Sequence, residues 1–278
     1  MRVTTYEIVE ILKRKMDQET VKRRAVHLLE LFIAFGQRVQ HHILMLPKYK
    51  LSILWTIFVV GSFIHEFLNW PESYFSNKNN ILNTLFVKRG WGWTLLLVGG
   101  TVNLDLHLKK STLPVTFFIE NMKLVILTLF WYMCTSFFET IEHATGECIG
   151  DEISIGKYAC QRGGGFWSGF DISGHCFLLT FSTLILNTEV DLHKAVDSLE
   201  DEEPADEMLT DVETLKTVHK FVSVCATYLM FIFELMLFFT CVYFHTLTQK
   251  LLGVLFGVGS WYICFTYVFA KGFDMLPL

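Results

Sequence analysis

Charge is scarce in this chain: only 18% of its 278 residues are Asp, Glu, Lys or Arg. A soluble domain of that length could bury only part of a composition that is 52% hydrophobic, with 26 Phe and a mean hydropathy of +0.39. The apolar stretches also lack an amphipathic period. They arrive as blocks, which excludes an ordinary soluble helical fold. No cleavable signal peptide is expected either: Ala25–Gly36 contains Glu30, follows a basic stretch and has no small-residue cleavage site. No compact metal spacing such as His-Glu-x-x-His occurs. Neither a resident metal nor another cofactor is therefore expected, and nucleic acid is not expected as a partner.

The hydrophobic blocks themselves define the class. A bilayer core of ~30 Å needs about 20 apolar residues per helix. Leu51–Leu68, Trp91–Leu108, Leu113–Phe138, Ile172–Val190, Phe221–Phe244 and Leu251–Ala270 qualify, the second weakened by Asn103 and Asp105. The expected fold is all-α, a polytopic membrane bundle of about six transmembrane helices spanning residues 51–278. Ahead of it, residues 1–50 form a basic N-terminal segment with ten Lys/Arg. Within that segment, apolar residues from Val26 to Phe35 are bounded by Lys22–Arg24 and Arg38, the pattern of an interfacial helix. A seventh span there would have to bury Glu30, Arg38, His41 and His42. Glu189 to Glu213 holds eleven Asp/Glu, so residues 191–211 read as a solvated acidic loop with no catalytic part.

Lys and Arg favour the cytoplasmic face. With the N-terminus inside, the cytoplasmic segments carry sixteen and the opposite side six. Both termini and the acidic loop then lie in the cytosol. His65, His143, His175 and His245 fall on the far side, accompanied by Glu66, Glu139, Glu142 and Asp171. Ionisable groups at membrane depth are expensive, so this gathering at one end of the bundle is a functional hypothesis.

The sharpest segment runs Gly163-Gly164-Gly165-Phe166-Trp167-Ser168-Gly169-Phe170-Asp171-Ile172-Ser173-Gly174-His175, directly before an apolar run. Asp171 or Ser173 can cap the helix that begins there. A helix N-terminus binds phosphate through free N–H groups and its dipole. A Gly-rich hairpin with a capping residue and a snorkelling His is the competing reading. His245 ends the fifth span on the side where His175 begins the fourth. Lys78, Lys88 and Arg89 place positive charge on that side, suited either to clamping phosphate or to snorkelling beside an aromatic belt. Glu142 and Asp171 are candidates to orient an imidazole, and Glu234 is expected to pack inside the bundle. Cys148 and Cys160 flank the loop before the glycine run, and in an oxidising lumen they could pair. The other five cysteines read as small hydrophobes.

Several long motifs occur here in the order they take in the fat-storage-inducing transmembrane (FIT) family, which the chain resembles over roughly residues 50–270. They are Pro71–Asn83, Trp131-Tyr132-Met133-Cys134-Thr135-Ser136, Ile141-Glu142-His143, Gly164-Gly165-Phe166-Trp167, Gly169–His175, Tyr243-Phe244-His245, Gly253–Gly257 and Ser260-Trp261-Tyr262. The resemblance implies an endoplasmic reticulum membrane protein of six spans, with both termini cytosolic and the active site luminal, needed for lipid droplet formation. It implies fatty acyl-CoA and neutral lipids as partners. The reaction it implies splits the acyl-CoA diphosphate into acyl 4'-phosphopantetheine and adenosine 3',5'-bisphosphate.

The family is similar in turn to the lipid phosphate phosphatases. Ser173-Gly174-His175 looks like their second motif and His245 like the histidine of their third. By that resemblance His245 attacks phosphorus and His175 protonates the leaving group, or the two exchange roles. Lys78, Lys88, Arg89, Asp171, Ser173 and Gly174 would hold substrate, with Glu142 orienting. The phosphatase pattern is incomplete, since Gln249 stands where an Asp follows the third-motif histidine and no Ser-Arg pair precedes it. Two other classes remain: a non-catalytic neutral-lipid binder, and a transporter built on Glu234 and Asp105.

Overall fold

The computed structural model describes residues 5–43, 47–68, 70–108, 114–150, 156–192 and 209–270. The chain forms two units, residues 1–43 and 44–278. The first is a single helix, α1 (Thr5–Ile43). It extends the expected interfacial segment well beyond Val26–Phe35. On it Val21, Leu28, Leu31, Phe32 and Phe35 are exposed beside the basic residues Lys22–Arg24.

The second unit is the bundle. Its long helices are α2 (Pro47–Phe67), α3 (Gly90–Leu108), α4 (Pro114–Thr145), α6 (Gly174–Leu192), α7 (Leu209–Tyr243) and α8 (Leu247–Ile263), the last continuing as π-helical turns Cys264–Phe269. A short helix α5 (Lys157–Arg162) and a two-stranded hairpin, β1 (Glu147–Ile149) with β2 (Phe166–Ser168), lie between α4 and α6. The fold is all-α and polytopic, as expected.

Four described stretches are long and apolar enough to cross a membrane: Tyr49–Phe67, Pro114–Thr145, Val212–Tyr243 and Leu247–Phe269. The remaining two expected spans, α3 and α6, are 19 residues each. α6 is the central helix, packed against α2, α3, α7 and α8. It is buried almost throughout, including Thr180, Ser182, Thr183, Asn187 and Glu189. A helix enclosed by protein need not be as apolar as one facing lipid. α4 is the opposite case: Phe117, Phe118, Val125, Leu129, Met133 and Phe137 are exposed apolar side chains on its outer face.

Two polar pairs join helices inside the bundle. Asn103 of α3 and Asn121 of α4 exchange amide hydrogen bonds of 3.2 and 3.1 Å, which accounts for the polar break in the second hydrophobic block. Glu234 packs inside as expected, and its partner is Lys50: Nζ donates to Oε1 at 2.7 Å, with the lysine side chain 1% exposed. α2 starts at Pro47, so Lys50 belongs to the bundle rather than to the N-terminal segment. α4 runs on past Phe138 to Thr145, so Glu139, Glu142 and His143 ride on a helix rather than a loop. α7 begins at Leu209, well before Phe221. Both helices outlast their hydrophobic blocks because helical hydrogen bonding continues into water once the span is made. The acidic stretch falls mostly outside the described residues, which omit 193–208.

α6 and α8 cross closely. A Cβ on Gly253 would stand 2.5 Å from the Ser173 carbonyl oxygen, and one on Gly257 would stand 2.9 Å from the Thr180 Cβ. This small-xxx-small spacing lets two backbones approach as they do in membrane helix pairs. The crossing fixes the start of α6 against the start of α8.

Candidate active site

At the end of the bundle where α4 and α7 finish and α6 and α8 begin lies a cavity of about 640 Å³. Its wall holds both His175 and His245, together with Lys78, Lys88, Asp171, Gly174 and Glu142. Deeper in, Thr135 and Phe138 of α4 face Met236, Phe239 and Thr240 of α7, so a polar mouth stands over a mostly apolar floor.

His175 sits in the first turn of α6. Ser173 caps that helix, its Oγ accepting the Cys176 N–H at 3.3 Å, and is itself fully buried. Of the two capping candidates it is Ser173 that serves, and its hydroxyl is directed to the backbone rather than to the cavity. Gly174 does reach the cavity wall. Arg89 is exposed and lies off the lining, unlike its neighbour Lys88.

His245 follows α7 with φ +59, a left-handed conformation unusual for a side-chain-bearing residue. Such a residue ends a helix sharply and persists only where its surroundings over-determine it. Here they do. Lys250, fully buried in the first turn of α8, donates Nζ to the Cys241 carbonyl oxygen at 2.9 Å. Gln249 Oε1 accepts the Thr246 N–H at 3.0 Å. Nδ1 of His245 stands 3.8 Å from Oδ2 of Asp171. Burial pushes the His245 pKa below its ordinary value, and Asp171 partly opposes that shift. Burial thus favours the neutral ring, which has a lone pair to offer.

Loop 71–83 brings Lys78 to the cavity and is fastened to the last turns of α7. Tyr243 Oη lies 2.8 Å from Ser73 Oγ and 3.0 Å from the Pro71 carbonyl oxygen. Phe75 stacks on Phe239 with centroids 3.6 Å apart. Asn83 Nδ2 donates to the Lys78 carbonyl oxygen at 2.7 Å, closing the loop on itself. Lys78 Nζ stands 5.6 Å over the Phe244 ring.

Between α4 and α6, Cys148 and Cys160 form the disulfide that their spacing allowed. Cys134, Cys176, Cys225, Cys241 and Cys264 are free thiols. Glu142 is engaged by Lys157, whose Nζ donates at 2.6 Å, and this raises the lysine's pKa. The carboxylate that faces an imidazole is therefore Asp171. His65 gives its Nδ1 to a 2.9 Å contact with the Val242 carbonyl oxygen, and His143 rests near the Trp167 ring. Neither is in the cavity wall, and Glu66 is not either. Among the described residues no three His, Cys, Asp or Glu side chains gather closely enough to hold a metal.

Gln249, Asn79, Asn83, Phe239 and Tyr243 were not among the expected site residues. For Gln249 a local signal existed: Thr246-Leu247-Thr248-Gln249 is the spacing of a capping box ahead of an apolar helix. For the others there was none, because a loop fastened to a helix far along the chain leaves no local pattern.

The architecture is that of a polytopic helical membrane protein with paired histidines in one cavity. The family model for "Fat storage-inducing transmembrane protein" matches residues 71–144 and 136–265, and the chain belongs to that FIT family. It is 37% identical over 229 residues to "Acyl-coenzyme A diphosphatase FITM2" of Mus musculus, a match covering 78% of this chain and 80% of that protein. To the Homo sapiens protein of the same name it is 39% identical over 226 residues, with the same coverage. The Drosophila melanogaster relative is 29% identical over 249 residues, covering 78% of this chain and 56% of that longer protein. No solved structure matches the chain.

Proposed function

We propose that this chain is a fatty acyl-CoA diphosphatase of the endoplasmic reticulum membrane, releasing acyl 4'-phosphopantetheine and adenosine 3',5'-bisphosphate in support of lipid droplet formation. The observation that carries the reading is one cavity lined by His175, His245, Lys78 and Lys88 above an apolar floor. That combination suits a substrate with an anionic diphosphate and an apolar tail. The name given to the vertebrate relatives agrees.

In this reading Lys78 and Lys88 neutralise the diphosphate, and the free N–H groups at the start of α6 add to them. A neutral His245 ring nitrogen attacks one phosphorus. The bridging P–O bond breaks, and His175 gives a proton to the departing phosphate oxygen. The negative charge of the bound diphosphate favours that proton on His175. Water then attacks the phosphohistidine, returns a proton to His175, and frees the second product. The cavity faces the lumen: the Cys148–Cys160 disulfide, on the segment between α4 and α6, belongs in an oxidising compartment, and the charge asymmetry puts residues 1–50 in the cytosol.

Purified protein incubated with oleoyl-CoA, with products identified by mass, tests the activity. Formation of both named products supports it. Intact oleoyl-CoA beside retained triacylglycerol binding would leave the neutral-lipid binder in its place.

A further inference from the structure

Asn83 is bonded to both lysines of the cavity wall. It opens the π-helical turns Asn83–Val87. Its Nδ2 donates to the Lys78 carbonyl oxygen at 2.7 Å, and its own carbonyl oxygen accepts the Lys88 N–H at 2.8 Å. Its N–H donates to Asn80 Oδ1, also at 2.7 Å. The residue lines the cavity although it is 7% exposed.

These bonds decide which end of the amide is left for a ligand. The Lys78 carbonyl oxygen can only accept, so the amide nitrogen faces it and Oδ1 remains. Among the described residues none donates to that oxygen. Asn80, the other buried asparagine of the wall, has both ends engaged: its Nδ2 donates to the Asn77 carbonyl oxygen at 2.8 Å, and its Oδ1 accepts from Asn83.

Asn83 therefore offers a neutral acceptor, tied at either side to a lysine backbone. A carboxylate in its place would repel the anion that the lysines attract, whereas an amide does not. A ligand that displaces water from a buried acceptor must supply a donor or lose affinity. On an acyl-CoA the arm next to the diphosphate supplies one, since pantetheine carries a hydroxyl and then an amide N–H ahead of the apolar tail.

We propose that Asn83 is a substrate-binding residue of this site: its Oδ1 accepts a hydrogen bond from the pantetheine arm. The cavity then selects a diphosphate joined to a polar arm over one joined directly to an alkyl chain. This specificity rests on the diphosphatase reading and deepens it.

The test compares octanoyl-CoA with an analogue whose arm and tail are one alkyl chain of equal length, on full-length protein in nanodiscs. Equilibrium binding is measured in His245→Ala protein, and kcat/KM in protein that keeps His245. Each is followed with Asn83 in place, with Asn83→Leu and with Asn83→Asp. With Asn83, octanoyl-CoA should be preferred ~10–100-fold in both measurements. Asn83→Leu should erase that preference. Asn83→Asp also loses the bond to the Lys78 carbonyl oxygen but keeps an acceptor. Its charge should weaken both ligands and leave the preference standing. A preference that is absent with Asn83, or that survives Asn83→Leu, overturns the proposal. So does one lost equally in Asn83→Asp, which would assign the effect to the loop. Octanoyl-CoA bound with the Asn83-dependent preference yet left uncleaved by wild type refutes the diphosphatase reading alone.

Discussion

Nδ1 of His245, on the turn after α7, lies 3.8 Å from Oδ2 of Asp171, on the segment that leads into α6. The distance exceeds the ~3.2 Å limit of an N–H···O hydrogen bond. Asp171 therefore acts on the ring through its charge. Burial lowers the pKa of His245 and Asp171 works against burial. Replacing Asp171 by Asn removes the opposing effect, so the pKa falls further. The ring then stays neutral to lower pH, and the acid limb of kcat/KM should shift downward. A limb that moves to higher pH in Asp171→Asn would contradict this sign.

His175→Ala and His245→Ala should each lower turnover ~10²–10⁴-fold, the range of general acid–base catalysis. The two groups serve one reaction, so the double variant should be scarcely slower than the worse single one. Rates of the purified single and double variants decide. Full activity in either single variant would end the nucleophile-and-acid account.

The Lys50–Glu234 pair is nearly closed to solvent, with side-chain exposures of 1% and 12%. Lys50→Met or Glu234→Gln alone leaves a buried, unmatched charge or polar remnant, and should cost about 3–5 kcal/mol. Lys50→Met combined with Glu234→Met should recover most of that loss. Melting temperatures in detergent measure it, and equal losses in single and double variants would show that the pair is not coupled.

The Cys148–Cys160 bond spans a sequence separation of 12. Closing a loop of this size restricts the unfolded chain by about 3 kcal/mol. Cys160→Ser should open the loop, so limited proteolysis should cut residues 149–159 faster while the helices of the bundle stay protected. Non-reducing peptide mapping of wild type should recover the two cysteines linked. Two free thiols there would rule the bond out.

An epitope inserted at residue 152 should be protected from protease in intact microsomes and lost only after detergent. Loss without detergent would place the cavity in the cytosol and reverse the proposed topology.

The helices were legible because hydrophobic blocks record the thickness of the membrane. Their ends were not: Glu139, Glu142 and His143 look like loop residues, yet they continue α4 to Thr145. Placing His175 and His245 at one end needed only the parity of the spans. Choosing between Glu142 and Asp171 needed Lys157, which engages Glu142 from the short helix α5. Gln249 read as a departure from a phosphatase pattern, because hydrophobic periodicity says nothing of a side chain that caps the next helix. The partner of Glu234 was hidden for the same reason: Lys50 counted as one more positive charge in a basic segment.

That pairing bears on how the protein is made. Lys50 and Glu234 are 184 residues apart in the chain. At a synthesis rate of ~5–20 residues per second, Lys50 leaves the ribosome roughly 10–40 s before its counter-ion. Until then the Lys50 ammonium, near the start of its span, has only the aqueous boundary to reach for. The first helix of the bundle can take its final partner only once the fifth long helix, α7, has been made, so this contact of the bundle forms late in synthesis.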